Sequence, residues 1–220
     1  MLNNIETKNL FNCEDEKLLN FFNNTKYPWE LLSGLKNFIK NLTIEDLPGY
    51  TEIEKGIFVG KNVSIHKSAV ICPPAIIGDE TEIRPNAYLR GNVIIGKNCV
   101  IGNSTELKEC ILLNHVQVPH YNYVGNSVLG NHSHMGAGSI CSNLKADGKN
   151  VVIHAEMDYD TGLRKVGAFV ADFADVGCSC VLNPGTVIGK SSSVYPLTSV
   201  RGVVSENSIV KSMDNIVKRS

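Results

Sequence analysis

The sequence predicts an all-β fold, a triangular solenoid of short stacked parallel strands preceded by a small helical segment. Three observations lead there. Aliphatic residues recur every six positions, at Val59, Ile65, Ile71, Ile77, Ile83, Leu89, Ile95, Ile101 and Leu107, without a miss. Four residues after each of the first eight stands a compact one, at Val63, Ala69, Ala75, Thr81, Ala87, Val93, Cys99 and Thr105, and after Leu107 the larger Ile111. Apolar residues make up 43% of the 220-residue chain but aromatics only 7%, the composition of an aliphatic core. One large and one small inward residue per hexad make three short strands per coil of about 18 residues, with coils stacked at roughly 4.8 Å. A helical period of about 3.6 cannot be laid over these positions. A sandwich would show simple alternation with turns every 8–12 residues or so.

The elements follow in chain order. Residues 1–50 read as helical: "DEKLLNFFNN" has apolar pairs at helical spacing, and "YPWELLSGLKNFIKNL" places Pro28 at a first helical position. Trp29, Leu32, Leu35, Phe38, Ile39 and Leu42 then share one stripe. Two short helices over one end or side of the prism are expected, either as a cap hiding the first coil or as a partner-binding segment. The β-helix occupies 51–204. Gly follows the aliphatic residue at 60, 78, 96 and 102, which suits a tight corner with positive φ. The pattern resumes at Leu112, Val118 and Val124, then at Leu129, Met135 and Cys141, after one five-residue step each time. The stretch 143–166, "NLKADGKNVVIHAEMDYDTGLRKV", interrupts it, and an excursion of that kind is expected on a working face. A last run reads Val170, Val176, Leu182, Ile188, Val194 and Val200, and the pattern leaves the tail at 205–220 unplaced. The whole resembles the hexapeptide-repeat left-handed parallel β-helix.

Lys plus Arg number 21 against 22 Asp plus Glu, so there is no electropositive footprint for nucleic acid or an anionic membrane. The seven Cys are odd in number and scattered, with only Cys178 and Cys180 close; reduced, packed thiols and a cytoplasmic location are expected. The start, "MLNNIETKNLF", lacks the basic and apolar runs of a signal peptide. No run of about 18 apolar residues occurs to span a membrane.

The stretch "VPHYNYVG", 118–125, crowds a Pro, a His and two Tyr into a unit that is elsewhere small. Upstream, Arg90 and Lys108 each follow an inward Leu and stand one coil apart, so the fold stacks them on one edge. Two cations so placed suit a phosphate, matched by an Arg fork and a Lys point charge. Solvated basic side chains with acidic neighbours such as Glu106 are the other reading. His120, two positions past inward Val118, points outward beside Tyr123; it is either a plain surface imidazole or a general base at neutral pH.

The block "ELKECILLNHVQVPHYNYVGNSVLGNHSHMGAGSICSNLKADGK" resembles the acetyltransferase domain of the bifunctional enzymes that make UDP-N-acetylglucosamine. It is more similar still to the short C-terminal domains of archaeal sugar-1-phosphate nucleotidylyltransferases that also acetylate amino-sugar phosphates, which share a segment like "TGLRKVGA". The resemblance covers roughly residues 60–200. It implies an acetyl-CoA-dependent N-acetyltransferase of nucleotide-sugar synthesis acting on an amino-sugar 1-phosphate, glucosamine 1-phosphate first, as a homotrimer and with no metal required. His120 is then the base, Arg90, Lys108 and Lys149 bind the phosphate, and Glu106, Tyr123 and Asn143 surround the sugar. Gly136 and Ala137 lie against the acyl donor. Cys178 replaces a Ser near coenzyme A, and Pro196 completes that side. His134 stands where the family usually has Asn, as a substrate contact or as a corner His stacked on His132. Leu144 stands where the bacterial enzyme has Tyr. No "GGxGTR"-like phosphate loop occurs and 50 preceding residues are too few for its domain, so no nucleotidylyltransferase domain is expected.

Two other classes stay open. A non-catalytic scaffold or regulatory subunit would use the same solenoid. A zinc enzyme like the γ-type carbonic anhydrases would use the H-x4-H pair His115 and His120, but the only earlier His, His66, is about one coil too far. Catalytic zinc wants about three protein ligands plus water.

Overall fold

The computed structural model describes residues 5–219 and is a left-handed parallel β-helix. Its strands form three sheets, the faces of a triangular prism, in the chain order of each coil. The first face runs from Ile57–Val59 through Val93–Ile95 and Val128–Leu129 to Val203–Val204. The second contains Val100–Asn103, Gln117–His120, His134–Met135 and Asp175–Val176, the third Tyr88–Leu89, Glu106–Lys108, Tyr123–Gly125 and Ile140–Cys141. Strand pairing keeps equivalent positions in column: Leu89 faces Leu107, which faces Val124, which faces Cys141. The inward positions read from the six-residue period form one continuous core, from Val59 through Leu129 to Val200. It continues through Val204 to Val210, because the strand Ser208–Ser212 within the 205–220 segment pairs with Ser193–Val194.

The glycines of the repeat do a different job from the one expected. Gly60, Gly78, Gly96 and Gly102 are not in the left-handed region; that conformation falls on Asn62, Glu80, Asn98 and Ser104, two residues later in each corner. What these glycines supply is the missing Cβ. A methyl at Gly78 would lie 2.5 Å from the carbonyl carbon of Gly96, and one at Gly96 2.7 Å from that of Leu113. Coils stacked this tightly leave no room for it.

The helices Thr7–Leu10, Glu16–Asn23 and Pro28–Asn41 lie along the first face rather than over an end of the prism. The cause is an apolar outer row on that face: Phe58, Ile76, Ile94, Ile111, Val128, Phe169 and Val187 all point away from the prism core and are buried in a second core. Trp29, Leu31, Leu35 and Ile39 of the long helix pack onto that row; each large side chain removed from water contributes about 1.5–3 kcal/mol. Glu30 accepts the Tyr27 backbone N–H at 3.2 Å and so closes the helix start ahead of Pro28. Gly34 allows close approach of the two longer helices, since a Cβ there would sit 2.9 Å from the Phe21 ring. The ends of the prism are instead bordered by antiparallel additions, Thr51–Glu54 on Ile57–Val59 and Asn215–Lys218 on Ser208–Ser212.

The 143–166 excursion turns onto the same covered face. Its hairpin, Val152–His154 with Asp158–Asp160, brings Val151, Ile153 and Val166 into the second core and sets Tyr159 against Tyr27 and Trp29. A buried carboxylate fastens the N-terminal segment to the prism. Asp172, 1% exposed, accepts the backbone N–H groups of Asn12 and Asn131 at 2.8 Å each and pairs with Lys190 at 3.2 Å. All seven cysteines are free thiols. Burial pushes Cys99 and Cys141 up to about 12, whereas Cys178 is exposed.

Candidate active site

The corner of the second and third faces collects four of the residues singled out in the sequence. Hydrogen bonds tie corner to corner: Tyr121 N–H to Asn103 O, Gly138 N–H to His120 O, Ser179 N–H to Ala137 O, and Leu197 N–H to Cys178 O, all between 2.8 and 3.0 Å. His120, Ala137, Cys178 and Pro196 therefore stand in one column along this edge. His120 ends its strand exposed, and its imidazole has no partner among the described residues. A surface imidazole with both nitrogens open can accept a proton from a bound amine.

Asn122 fixes this corner. It occupies the small inward slot four residues after Val118, where other coils carry Ala, Val or Cys, and it is 2% exposed. Its amide oxygen accepts the His120 backbone N–H at 3.1 Å, and its amide nitrogen donates to Gly136 O at 2.8 Å and Ser139 O at 3.2 Å. One buried side chain thus holds the His120 corner against the next corner down. Of the two backbone amides expected on the donor side, that of Gly136 is taken by Val176 O at 2.7 Å. The Ala137 N–H meets no acceptor among the described residues, nor does that of Cys178 in the same column, so both are available donors on this edge.

The third face adjoins the edge and carries the remaining polar cluster. Tyr123, Glu106 and Tyr88 share one outward column, and Lys108 pairs in register with Gly125. Gly125 has a structural reason: a Cβ there would strike the Tyr123 hydroxyl, which lies over it. Asn143 donates to that hydroxyl at 3.2 Å and to Asn126 Oδ1 at 2.7 Å, and Asn126 donates to Glu109 at 2.6 Å. Burial first, and the Glu106 carboxylate second, push the Tyr123 phenol above its usual range.

Arg90 and Lys108 lie at the far margin of this face on adjacent coils, joined by the Arg90 N–H to Leu107 O bond. Each has a carboxylate neighbour. Arg90 bonds Glu106 at 2.6 Å, which raises the guanidinium pKa, and Lys108 Nζ is 3.7 Å from Glu109. Lys149 is exposed in the turn after Asn143, where its backbone N–H caps Asp147 and lowers that carboxyl. His134 lies on the second face, its Nδ1 2.8 Å from Asp175 Oδ1. It does not stack on His132. His132 stands at the corner of the first and second faces, stacked between His115 at 4.3 Å and Phe173 at 5.0 Å.

That placement bears on the zinc reading. His115 and His120 sit at opposite ends of the Gln117–His120 strand, on different edges, so within one chain they do not converge on one ion. Asn122, Asn126 and Glu109 were not singled out in the sequence. Glu109, Asn126 and Asn143 stand 17 apart because of the five-residue steps, and that spacing is the signal that could have found them.

A family model described as "GMPPB C-terminal domain" matches residues 71–161. The chain is similar to the bifunctional protein GlmU of Methanococcus vannielii, with 28% identity over 97% of this chain and 51% of the relative. It is 32% identical to the bifunctional sugar-1-phosphate nucleotidylyltransferase/acetyltransferase of Sulfurisphaera tokodaii, over 77% of this chain and 43% of that one. The chain thus spans about half the length of the curated relatives it matches. Among solved structures, PerB from Caulobacter crescentus, in complex with CoA and GDP-perosamine, aligns with 71% of this chain and 56% of its own, at 16% identity and a TM-score of 0.44. The archaeal sequences bear out the resemblance that the motif block carries. Among the described residues no helix is long and apolar enough to cross a membrane.

Proposed function

We propose that this chain, a hexapeptide-repeat β-helix related to about half of the archaeal bifunctional enzymes, is an acyl-CoA-dependent N-acetyltransferase for an amino sugar carrying an anomeric phosphate. Glucosamine 1-phosphate is the simplest such acceptor. One observation carries the reading: an unpartnered imidazole, His120, shares an edge with an unpartnered amide, Ala137 N–H, beside a face whose far margin carries Arg90 and Lys108. A base, an oxyanion donor and a phosphate clamp are what amine acylation on a sugar phosphate requires.

In this mechanism the acceptor lies across the third face, its phosphate displacing the Glu106 carboxylate from Arg90 and joining Lys108, while Glu109 stays held by Asn126. Lys149 adds charge from the neighbouring turn. Tyr123, kept neutral by burial and oriented by Asn143, contacts the sugar. His120 takes a proton from the amine as nitrogen attacks the thioester carbonyl. The Ala137 N–H receives the developing oxyanion, and collapse expels coenzyme A as its thiolate, which is protonated by the imidazolium. Cys178 and Pro196 line the donor along the edge. The acyl donor is acetyl-CoA, and no step calls on a metal. His134, one face away, meets the acceptor only where a second copy supplies that face, as in a homotrimer.

The test is release of free thiol from acetyl-CoA with a panel of amino-sugar 1-phosphates. His120→Ala should lower turnover by about 10²–10⁴-fold without altering the oligomer. Near-normal turnover in that variant removes His120 from the chemistry, and no thiol release with any acceptor favours the scaffold reading.

A further inference from the structure

Around the corner from Arg90 and Lys108, where the third face meets the covered first face, a groove of about 610 Å3 runs between the helix Pro28–Asn41 and the end of the excursion. Glu109 and Asn126 form its floor, so it is continuous with the Lys108–Glu109–Asn126–Asn143 chain of contacts. Its walls carry three cations, Lys36 from the helix and Arg164 and Lys165 from the excursion. None of them has an acidic partner among the described residues, and the one acidic group lining the groove, Glu109, is held by Lys108 and Asn126. Arg164 is fixed through its Nε, which donates to Gly148 O at 3.1 Å. Leu144 and Leu163 add an apolar wall.

Unneutralised cations brought together from two separate elements repel each other unless an anion joins them. A volume of this size exceeds what a single phosphate fills and lies in the range of small-molecule sites, roughly 300–1,000 Å3. We infer that this groove is the outer half of the acceptor site and binds a second phosphate, so that the preferred acceptor is an amino sugar linked to a nucleoside diphosphate. The first phosphate rests at Arg90 and Lys108, the second between Lys36, Arg164 and Lys165, and the nucleoside lies against Leu144 and Leu163. The inference rests on the acetyltransferase reading for the sugar end, while the anion site itself does not depend on it. It also gives the helical layer a part in recognition, through Lys36.

The experiment is calorimetric titration of the full chain with inorganic pyrophosphate at low salt, for the wild type, for the double variant Lys36→Ala/Lys165→Ala, and for Lys67→Ala, a cation in the first coil far from the groove. Saturable binding that weakens at least tenfold in the double variant and less than twofold in Lys67→Ala is the expected result. No saturable binding, a loss under threefold in the double variant, or an equal loss in Lys67→Ala overturns the site. The acceptor arm compares KM for glucosamine 1-phosphate with KM for UDP-linked glucosamine. The linked sugar should have the lower KM, and the double variant should abolish that advantage; equal KM values in the wild type overturn the diphosphate assignment. Lysine-dependent pyrophosphate binding without any acyl transfer would sink the enzymatic reading and leave the anion site standing.

Discussion

Replacing Asp172 tests whether the helical layer is an integral part of the molecule or a loosely attached addition. The carboxylate is almost wholly buried and holds four donors: the Asn12 and Asn131 backbone N–H groups, the Asn131 side-chain amide at 3.2 Å, and Lys190. In Asp172→Ala, Asn12 and Lys190 regain water, because both are partly open, but the backbone N–H of Asn131, a residue 7% exposed, does not, while its side-chain amide keeps only its bond to Asn12 O at 2.7 Å. Breaking a buried charged contact while stranding such a donor costs about 3–5 kcal/mol. For a chain of this length each kcal/mol moves the midpoint by about 2–4 °C, so Tm should fall by about 6–20 °C in a thermal melt followed by circular dichroism. Asp172→Asn keeps one acceptor oxygen for Asn131 and should lose about half as much. Lys190→Ala, which leaves every N–H bond in place, should lose least. Asp172 lies on the corner remote from His120, so specific activity well below Tm should hold. A loss under about 1 kcal/mol in Asp172→Ala, or Lys190→Ala proving the worst of the three, would refute this account of how the N-terminal segment is fastened.

Three further expectations follow from the geometry. Gly96→Ala should destabilise by about 1–3 kcal/mol or more in a denaturant melt, although its φ is ordinary, because the methyl meets Leu113 backbone that cannot yield; a neutral result would mean the coils are less tightly stacked. Asn122→Val, close in size to the residues in equivalent slots, should leave the His120 N–H without its acceptor and Ser139 O without its donor, with Gly136 O held only by Ser139, and so shift the His120 corner; kcat should fall more than KM rises, and a change in KM alone would count against a positioning role. Alkylation at pH 8 should reach Cys178 first, since burial holds Cys99 and Cys141 up near 12, and should block acetyl-CoA unless the donor is already bound; a modified protein with full activity would take Cys178 away from the donor path.

The core was legible in the sequence because a six-residue period has one physical reading: every sixth residue points inward, and 31 buried residues from Ile57 to Val210 form the resulting core. The role of the glycines was misread because composition cannot tell a residue needed for its φ from one needed for its missing Cβ; only the neighbouring coil decides. The sequence reading left the helices over an end or a side of the prism, although the signal that decides for the side was present. The triplets Ile57-Phe58-Val59, Val93-Ile94-Ile95 and Ala168-Phe169-Val170 have an apolar middle residue that the fold turns outward, and an apolar outer row requires a cover. Within the site, column neighbours such as Arg90 and Lys108 could be found by counting one coil. The Arg90 contact with Glu106 is the acidic neighbour named in the alternative reading, whereas contacts such as Asn122 with Gly136 O depend on side-chain direction across coils, which counting does not supply.

A stacked-coil architecture explains why a bulky, polar unit is tolerated at 118–125 and at few other places. Corner residues lie outside the core, so His120 and Tyr121 add bulk where no inward packing is disturbed, and Tyr121 is 62% exposed in a left-handed conformation. The next residue is the one that must turn inward, and there the chain places Asn122, a polar group in an aliphatic interior. Such a group is costly unless its bonds are satisfied, and here both ends of the amide are, by the corner above and the corner below. Its polarity is therefore compatible with stability only while the His120 and Gly136 corners keep their relative positions. The same bonds that make the buried amide tolerable hold an imidazole and a free Ala137 N–H at a set separation. On an edge otherwise built by repetition, local packing and the proposed reaction geometry depend here on the same side chain.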